Sequence, residues 1–307
     1  MHDHKPNRRG ILLMIGGSAF FAGNDAFSKL VLTGHGLPPS QMMAVRGLIA
    51  ALILITLMAW RGELRQLRHV VDGRTMLRSW SEATGTYIFM TALAVMSIAD
   101  AAAVVQITPL LTVAAAVMLL GSPFGWQRWL ALAIGMLGVG LIIKPGASSF
   151  DPVAILPVIT ALLMTLRDFI TGRIGRHVPS LVITFGTALC GMALGFAGAF
   201  FEEWKPLDLP TLLLILGGSF TLILGNALTI AAFRGTDPAV IAPFRYTAVV
   251  CAVFLSAILF GMVPDLVSVA GMALIVAAGI YTVRDNDRPR LDPPRRAGAA
   301  EVESGAA

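Results

Sequence analysis

Of the 307 residues, 56% are hydrophobic and only 13% are charged, and the mean hydropathy is +0.77. A soluble domain carries about 25% charged residues, so a soluble globular chain is excluded, as are disordered, collagen-like and disulfide-framework chains. Cys190 and Cys251 both lie inside apolar stretches and read as small buried hydrophobes. A net charge of +5 would suggest a nucleic-acid partner only if the charges were gathered on a soluble face, and they are not.

A bilayer core of about 30 Å needs roughly 20 mostly apolar residues per helix. That window predicts spans at 11–32, 38–60, 78–97, 99–120 and 126–144, then at 152–172, 179–201, 210–233, 237–260 and 264–283. The separators are short and turn-like, as at Pro145-Gly146 and from Pro206 to Pro210. The first span follows Arg8-Arg9 like a signal peptide, but it is long and contains Asp25 and Lys29, so it reads as a retained helix. With the N-terminus placed inside, seventeen Lys and Arg fall in inner segments and only Lys144 and Lys205 in outer ones. This asymmetry predicts cytoplasmic termini. The domain reading is a cytoplasmic N-terminal tail at 1–10, a first half at 11–146, a second half at 152–283, and a disordered cytoplasmic tail at 284–307.

The two sets of five spans resemble one another. Asn24-Asp25 aligns with Arg167-Asp168, Pro39-Ser40 with Pro179-Ser180, and Asp100 with Asp237, at offsets of 143, 140 and 137 residues. An odd number of spans per half turns the second half over in the membrane. Inverted repeats with a site near the midplane are a transporter architecture.

Polar residues inside the spans mark candidate sites, because a charge at bilayer depth costs at least about 2.5–3.5 kcal/mol unless it is paired or hydrated. Asp25 and Lys29 are four apart and share a helix face, beside Asn24. They read either as a substrate- or proton-binding carboxylate held by lysine, or as a neutralised pair that permits insertion. Arg46 needs an acid such as Asp25 or Glu82, or a ligand. Glu82 follows Arg78 by four residues and sits too deep to snorkel easily. Arg167 and Asp168 point about 100° apart, so one is expected to face the cavity and the other a neighbouring span. Gln106 and Pro109 in span four correspond to Pro243, Phe244, Arg245 and Tyr246 in span nine, and each proline frees a backbone carbonyl. Arg245 with its aromatic neighbours reads either as a clamp for an anionic or flat ligand or as part of a kink whose arginine pairs with an acid elsewhere. Asn226 reads either as a ligand contact or as interhelical glue, and Gly135, Gly138, Gly140, Gly191 and Gly195 as packing surfaces.

No Walker loop, HExxH motif or intramembrane histidine appears, since His2, His4, His35, His69 and His177 lie in tails or loops. No cofactor, metal or nucleic-acid partner is expected; the partners are a small metabolite and the bilayer, with the chain a monomer or a homodimer. A membrane-embedded enzyme is the remote alternative, and it would gather its acids at one face instead of scattering them over several spans.

The stretches GNDAFSK (23–29), GWQRWLALAIGMLGVGLIIKPG (125–146), LRDFITGRI (166–174) and APFRYTAVVCAVFLSAILFGMVPD (242–265) resemble the ten-helix, EamA-type branch of the drug/metabolite transporter superfamily. The resemblance covers roughly 11–283, and Arg46 stands where members commonly carry an arginine. It implies an all-α membrane protein of ten helices in two inverted five-helix repeats, in the cell inner membrane, acting as a secondary carrier of small organic metabolites. The APFRY stretch looks closest to S-adenosylmethionine- and riboflavin-type carriers, with amino-acid and drug exporters as the alternative. Ser122 and Met262 depart from the acidic residue that often follows the closing Gly of spans four and nine, which bears on loop capping.

Overall fold

The computed structural model describes residues 8–120, 126–144, 152–171, 173–175, 178–235 and 242–286. Most of the expected tails, the 146–151 loop, Asp237 and Ser122 lie outside the described residues. Among the described residues the secondary structure is helical throughout. The helices are α1 (Arg8–Lys29), α2 (Pro39–Trp60), α3 (Gly73–Val95), α4 (Ile98–Val105), α5 (Thr108–Leu120), α6 (Trp126–Ile143), α7 (Leu156–Thr171), α8 (Ser180–Gly198), α9 (Leu209–Gly235), α10 (Thr247–Phe260) and α11 (Leu266–Asn286). Span four is thus α4 and α5, broken at Gln106-Ile107, and span nine is a 3₁₀ turn (Ala242–Tyr246) leading into α10. Five of the ten spans are long and apolar enough to cross a bilayer on those grounds alone, and four more are shorter apolar helices. The tenth is α3, whose 23 residues include Arg74, Arg78 and Glu82. It begins at residue 73 instead of the expected 78, and the loop before it holds a 3₁₀ helix (Leu64–Val71) that the apolar window did not reveal.

Helix starts follow local chemistry. Pro39 and Ser180 open α2 and α8 after an extended proline, whose fixed φ suits a helix entrance. Ser97 caps α4, accepting from the Asp100 N–H at 3.0 Å while donating to its carboxylate at 2.6 Å. Asp208 and Asp265 cap α9 and α11 by accepting from the Thr211 and Ser268 N–H groups, each at 3.1 Å.

Four helix pairs make the frame: α1 with α9, α3 with α7, α2 with α8, and α6 with α11. In span numbers these are 1–8, 3–6, 2–7 and 5–10. Exchanging the halves converts the first pair into the second and returns the other two unchanged. The further pairs α1–α10 and α4/α5–α7 are related in the same way. Direction is inverted as well. Lys29, at the end of α1, reaches Leu93 near the end of α3, whereas Arg167, near the end of α7, meets Glu82 in the first half of α3. The frame is therefore two inverted five-helix repeats.

Hydrocarbon gives helices no apolar drive to associate, so close packing carries the pairs. A Cβ on Gly138 would lie 2.6 Å from the Gly271 carbonyl oxygen, and a Cβ on Gly271 would lie 2.5 Å from that of Gly138, so α6 and α11 touch backbone to backbone. Gly195 sits equally close to the α2 backbone at Ser40 and Ala44, whereas Gly140 faces open space. Large apolar side chains such as Leu52, Leu137, Leu162, Phe220 and Phe254 are exposed on the outer surface.

Candidate functional site

Between the halves lies a cavity of about 450 Å³, walled by α1, α2, α3, α4, the start of α5, α7, α8, α9, the 3₁₀ turn and α10. Along α1 its lining runs from Met14 to Ser28, about 21 Å at 1.5 Å per residue. One end is shut by Met42, Met90, Leu93, Ile98 and Ala101, each at most 1% exposed. Toward the other end, where α1 begins, Asp168 keeps 37% of its side chain exposed and Arg245 is exposed into the cavity.

A four-residue ion network lines the open side. Arg78 pairs with Glu82 one turn along α3. Arg167 reaches Glu82 at 3.2 Å and Asp168 at 2.8 Å. The Arg78 guanidinium also donates to the Thr187 hydroxyl at 2.6 Å, and that hydroxyl lies 3.3 Å from Glu82. Of the expectation that one of Arg167 and Asp168 faces the cavity and the other a neighbouring span, only the division is corrected: both line the cavity, because Arg167 folds back onto Asp168 while still pairing with Glu82 on the neighbouring α3.

Asp25 lines the cavity and accepts from the Asn24 side-chain amide at 3.1 Å. The expected Asp25–Lys29 pair does not form. Lys29 is 1% exposed, and its ammonium donates to the carbonyls of Leu93 at 2.9 Å and Met96 at 2.8 Å, with the Phe260 ring centroid 5.5 Å away. The last carbonyls of a helix have no partner within it, and those of α3 offer the lysine an alternative that Asp25 does not need to supply. Lys29 is accordingly outside the cavity wall.

Arg46 lines the cavity close enough to feel Asp25 and Glu82 electrostatically, but it makes no ion pair or hydrogen bond among the described residues. Arg245 is likewise without a direct partner for its guanidinium among the described residues. Its backbone is pinned: the Arg245 carbonyl accepts from Gln106 Nε2 at 3.2 Å and from the Ser18 hydroxyl at 3.5 Å. The neighbouring aromatics are not where stacking on a ligand would need them. Tyr246 is 4% exposed and lies against Gly279 on α11, and Phe244 packs beside Met14 and Ala232. The side chain of Pro243 lies outside the described residues.

The aromatic rings that do line the cavity are Phe21 and Phe89, joined by Thr86, Thr187, Asn226 and Thr229. Helical spacing extended from the charged positions reaches several of these. On α3, Arg78, Glu82, Thr86 and Phe89 follow one face; on α1, Ser18, Phe21 and Asp25 do so. Asn226, singled out in the sequence, lines the cavity and donates within its own helix to the Leu222 carbonyl at 3.0 Å, whereas Thr229, three positions on, had no charged neighbour to draw attention to it.

At the shut end, the segment after α8 straps the second half onto the first. Glu202 accepts from the Tyr87 hydroxyl at 2.6 Å and the Ser40 N–H at 3.0 Å, while Trp204 donates to the Ser40 hydroxyl at 2.9 Å. Gln41 and Lys205 exchange two hydrogen bonds, at 2.6 and 2.9 Å. Partial burial pushes the Glu202 carboxyl up, but the hydrogen bonds from Ser40 and Tyr87 outweigh it and leave the group below its ordinary value.

The sequence profile of the EamA-like transporter family matches residues 8–144 and again 152–284, one match per half. The S-adenosylmethionine uptake transporter of Rickettsia bellii is 25% identical over 85% of this chain and 89% of its own length. The riboflavin transporter of Rhizobium johnstonii is 28% identical over 72% of this chain and 73% of its own. A solved crystal structure at 20% identity superposes with a TM-score of 0.60, covering 90% of this chain and 96% of the other, which shows a shared fold.

Proposed function

This chain belongs to the EamA-like transporter family, and from that premise we propose that it carries a small heteroaromatic metabolite, of the S-adenosylmethionine or riboflavin kind, by alternating access. The observation that carries this reading is the cavity itself. It is walled by charged and polar residues of both halves and closed at one end, and its volume of about 450 Å³ falls among those of small-molecule sites, about 300–1,000 Å³. Phe21 and Phe89 offer ring faces, while Asp25, Arg46, Gln106 and Arg245 offer hydrogen bonds and charge. The names of the two relatives support the same substrate class.

In this reading Asp25 is the coupling carboxylate, with Glu82 next in line, and the network of Arg78, Glu82, Arg167 and Asp168 holds the wall in shape. The carrier sits in the cell inner membrane with both termini cytoplasmic, so the open end of the cavity faces the cytoplasm. All the lining residues come from one chain, so a monomer is sufficient, and a homodimer would repeat the same site.

Counterflow in proteoliposomes tests this. Labelled S-adenosylmethionine or riboflavin should exchange across the bilayer unchanged when the unlabelled compound is inside. Absence of exchange for both compounds overturns the substrate class. Competition by tetraphenylphosphonium, but by no metabolite, moves the reading to a drug exporter.

A further inference from the structure

The charges lining the cavity do not balance, and the excess lies at a defined place. Four guanidinium groups, Arg46, Arg78, Arg167 and Arg245, face three carboxylates, Asp25, Glu82 and Asp168. Arg78, Glu82, Arg167 and Asp168 close on one another through three ion pairs. Asp25 lies within the electrostatic reach of Arg46. That leaves Arg245. The carboxylate that acts on it most, Asp168, is already held by Arg167, whose own charge repels Arg245.

A guanidinium that faces a cavity without a direct counter-ion gains charge-assisted hydrogen bonds when an anion arrives. Arg245 is also preorganised. Gln106 and Ser18 hold its carbonyl from α4 and α1, Tyr246 is wedged against Gly279, and Phe244 is packed on Met14. With both neighbours anchored in protein, the residue between them is the one left to project into the cavity. Its rigid fork of donors matches a carboxylate or phosphate in two-point fashion.

We propose that Arg245 is the anion-recognition residue of this carrier, and that the transported species bears a carboxylate or phosphate alongside its ring. This rests on the heteroaromatic reading above and narrows it. Among ring metabolites it favours those with an acidic group over neutral analogues of the same ring.

Binding to the purified full-length protein in nanodiscs, read by ligand-induced thermal shift, tests the inference with three pairs of probes that differ in their anion. The pairs are S-adenosylmethionine and its decarboxylated form, flavin mononucleotide and riboflavin, and benzoate and benzamide. The anionic member of at least one pair should bind tighter by about tenfold or more, the scale of one charge-assisted hydrogen-bonded contact. Arg245→Gln should level that pair, and Arg245→Lys should keep part of the preference. No preference in any wild-type pair, or a preference that survives Arg245→Gln, overturns the inference. A preference seen only for benzoate keeps Arg245 as the anion site and overturns the heteroaromatic substrate class. The wild-type comparison stands even if a variant fails to fold.

Discussion

Lys29 donates to the Leu93 carbonyl at 2.9 Å across 64 positions of sequence, tying the end of α1 to the end of α3. The tie sits at the shut end of the cavity, beside the strap formed by the segment after α8. Lys29→Met keeps an unbranched side chain one atom shorter but leaves the Leu93 and Met96 carbonyls buried without their donor, at a cost of about 1–3 kcal/mol. The variant should melt lower, and the amides around the end of α3 should exchange hydrogen faster. Unchanged melting and exchange would show that the tie holds nothing.

Asp25→Asn preserves shape and removes charge. It should abolish gradient-driven accumulation of substrate while leaving exchange partly intact, because exchange moves no net proton. Since Lys29 spends its charge on carbonyls and not on Asp25, adding Lys29→Gln should not restore accumulation. Recovery in the double variant would defeat coupling through Asp25.

Glu82 holds two arginines at once, so Glu82→Gln leaves Arg78 with hydroxyl partners but no carboxylate, and leaves Arg167 only Asp168. The expected cost is about 2–3 kcal/mol, below the roughly 3–5 kcal/mol of a fully dry pair because the Glu82 side chain keeps 24% exposure. Asp25→Asn breaks no ion pair and should cost less than about 1 kcal/mol. Thermal unfolding of the two variants should therefore rank them clearly, and equal destabilisation would contradict the network.

The strap should respond to pH. The Glu202 carboxyl lies below its ordinary value of 4.5 in the folded chain, so its contribution is fully present above pH 4.5. That contribution is lost as the pH falls through the lower, folded-state value. Hydrogen-exchange protection over residues 199–208, measured relative to the intrinsic exchange rate at each pH, should fall on acidification in the native chain, and Glu202→Gln should flatten the response. An identical acid response in the variant would assign the effect to another group.

Sequence reasoning reached the frame because it rests on properties that a single helix carries. Apolar length located the spans, and the aligned Asn24-Asp25 and Arg167-Asp168 positions pointed to repetition. It placed Asp25, Arg46, Glu82, Gln106, Arg167, Asp168 and Arg245 among the site candidates, and the structure brings all seven to one cavity. It failed where the partner lies on another helix. The spacing of Asp25 and Lys29 says that they can meet, but only the position of α3 reveals the carbonyls that draw the lysine away. Phe244 and Tyr246 flank a charged residue in sequence, yet consecutive side chains of a helical turn point in different directions. The rings within reach of a ligand instead come from Phe21 and Phe89.

The exchange symmetry of the helix pairs carries an energetic consequence. A bundle in which 1–8 and 3–6 are counterparts can reverse its opening by letting each half adopt the other's arrangement, with the pairs 2–7 and 5–10 kept as pivots. If the two halves had identical sequences, the two openings would be equal in free energy. The resting bias of this chain therefore resides in the positions where its halves differ. Lys29 on its carbonyls and Glu202 in its strap both weight the shut end, so altering either one tilts the resting equilibrium with every residue of the cavity wall left as it is in sequence.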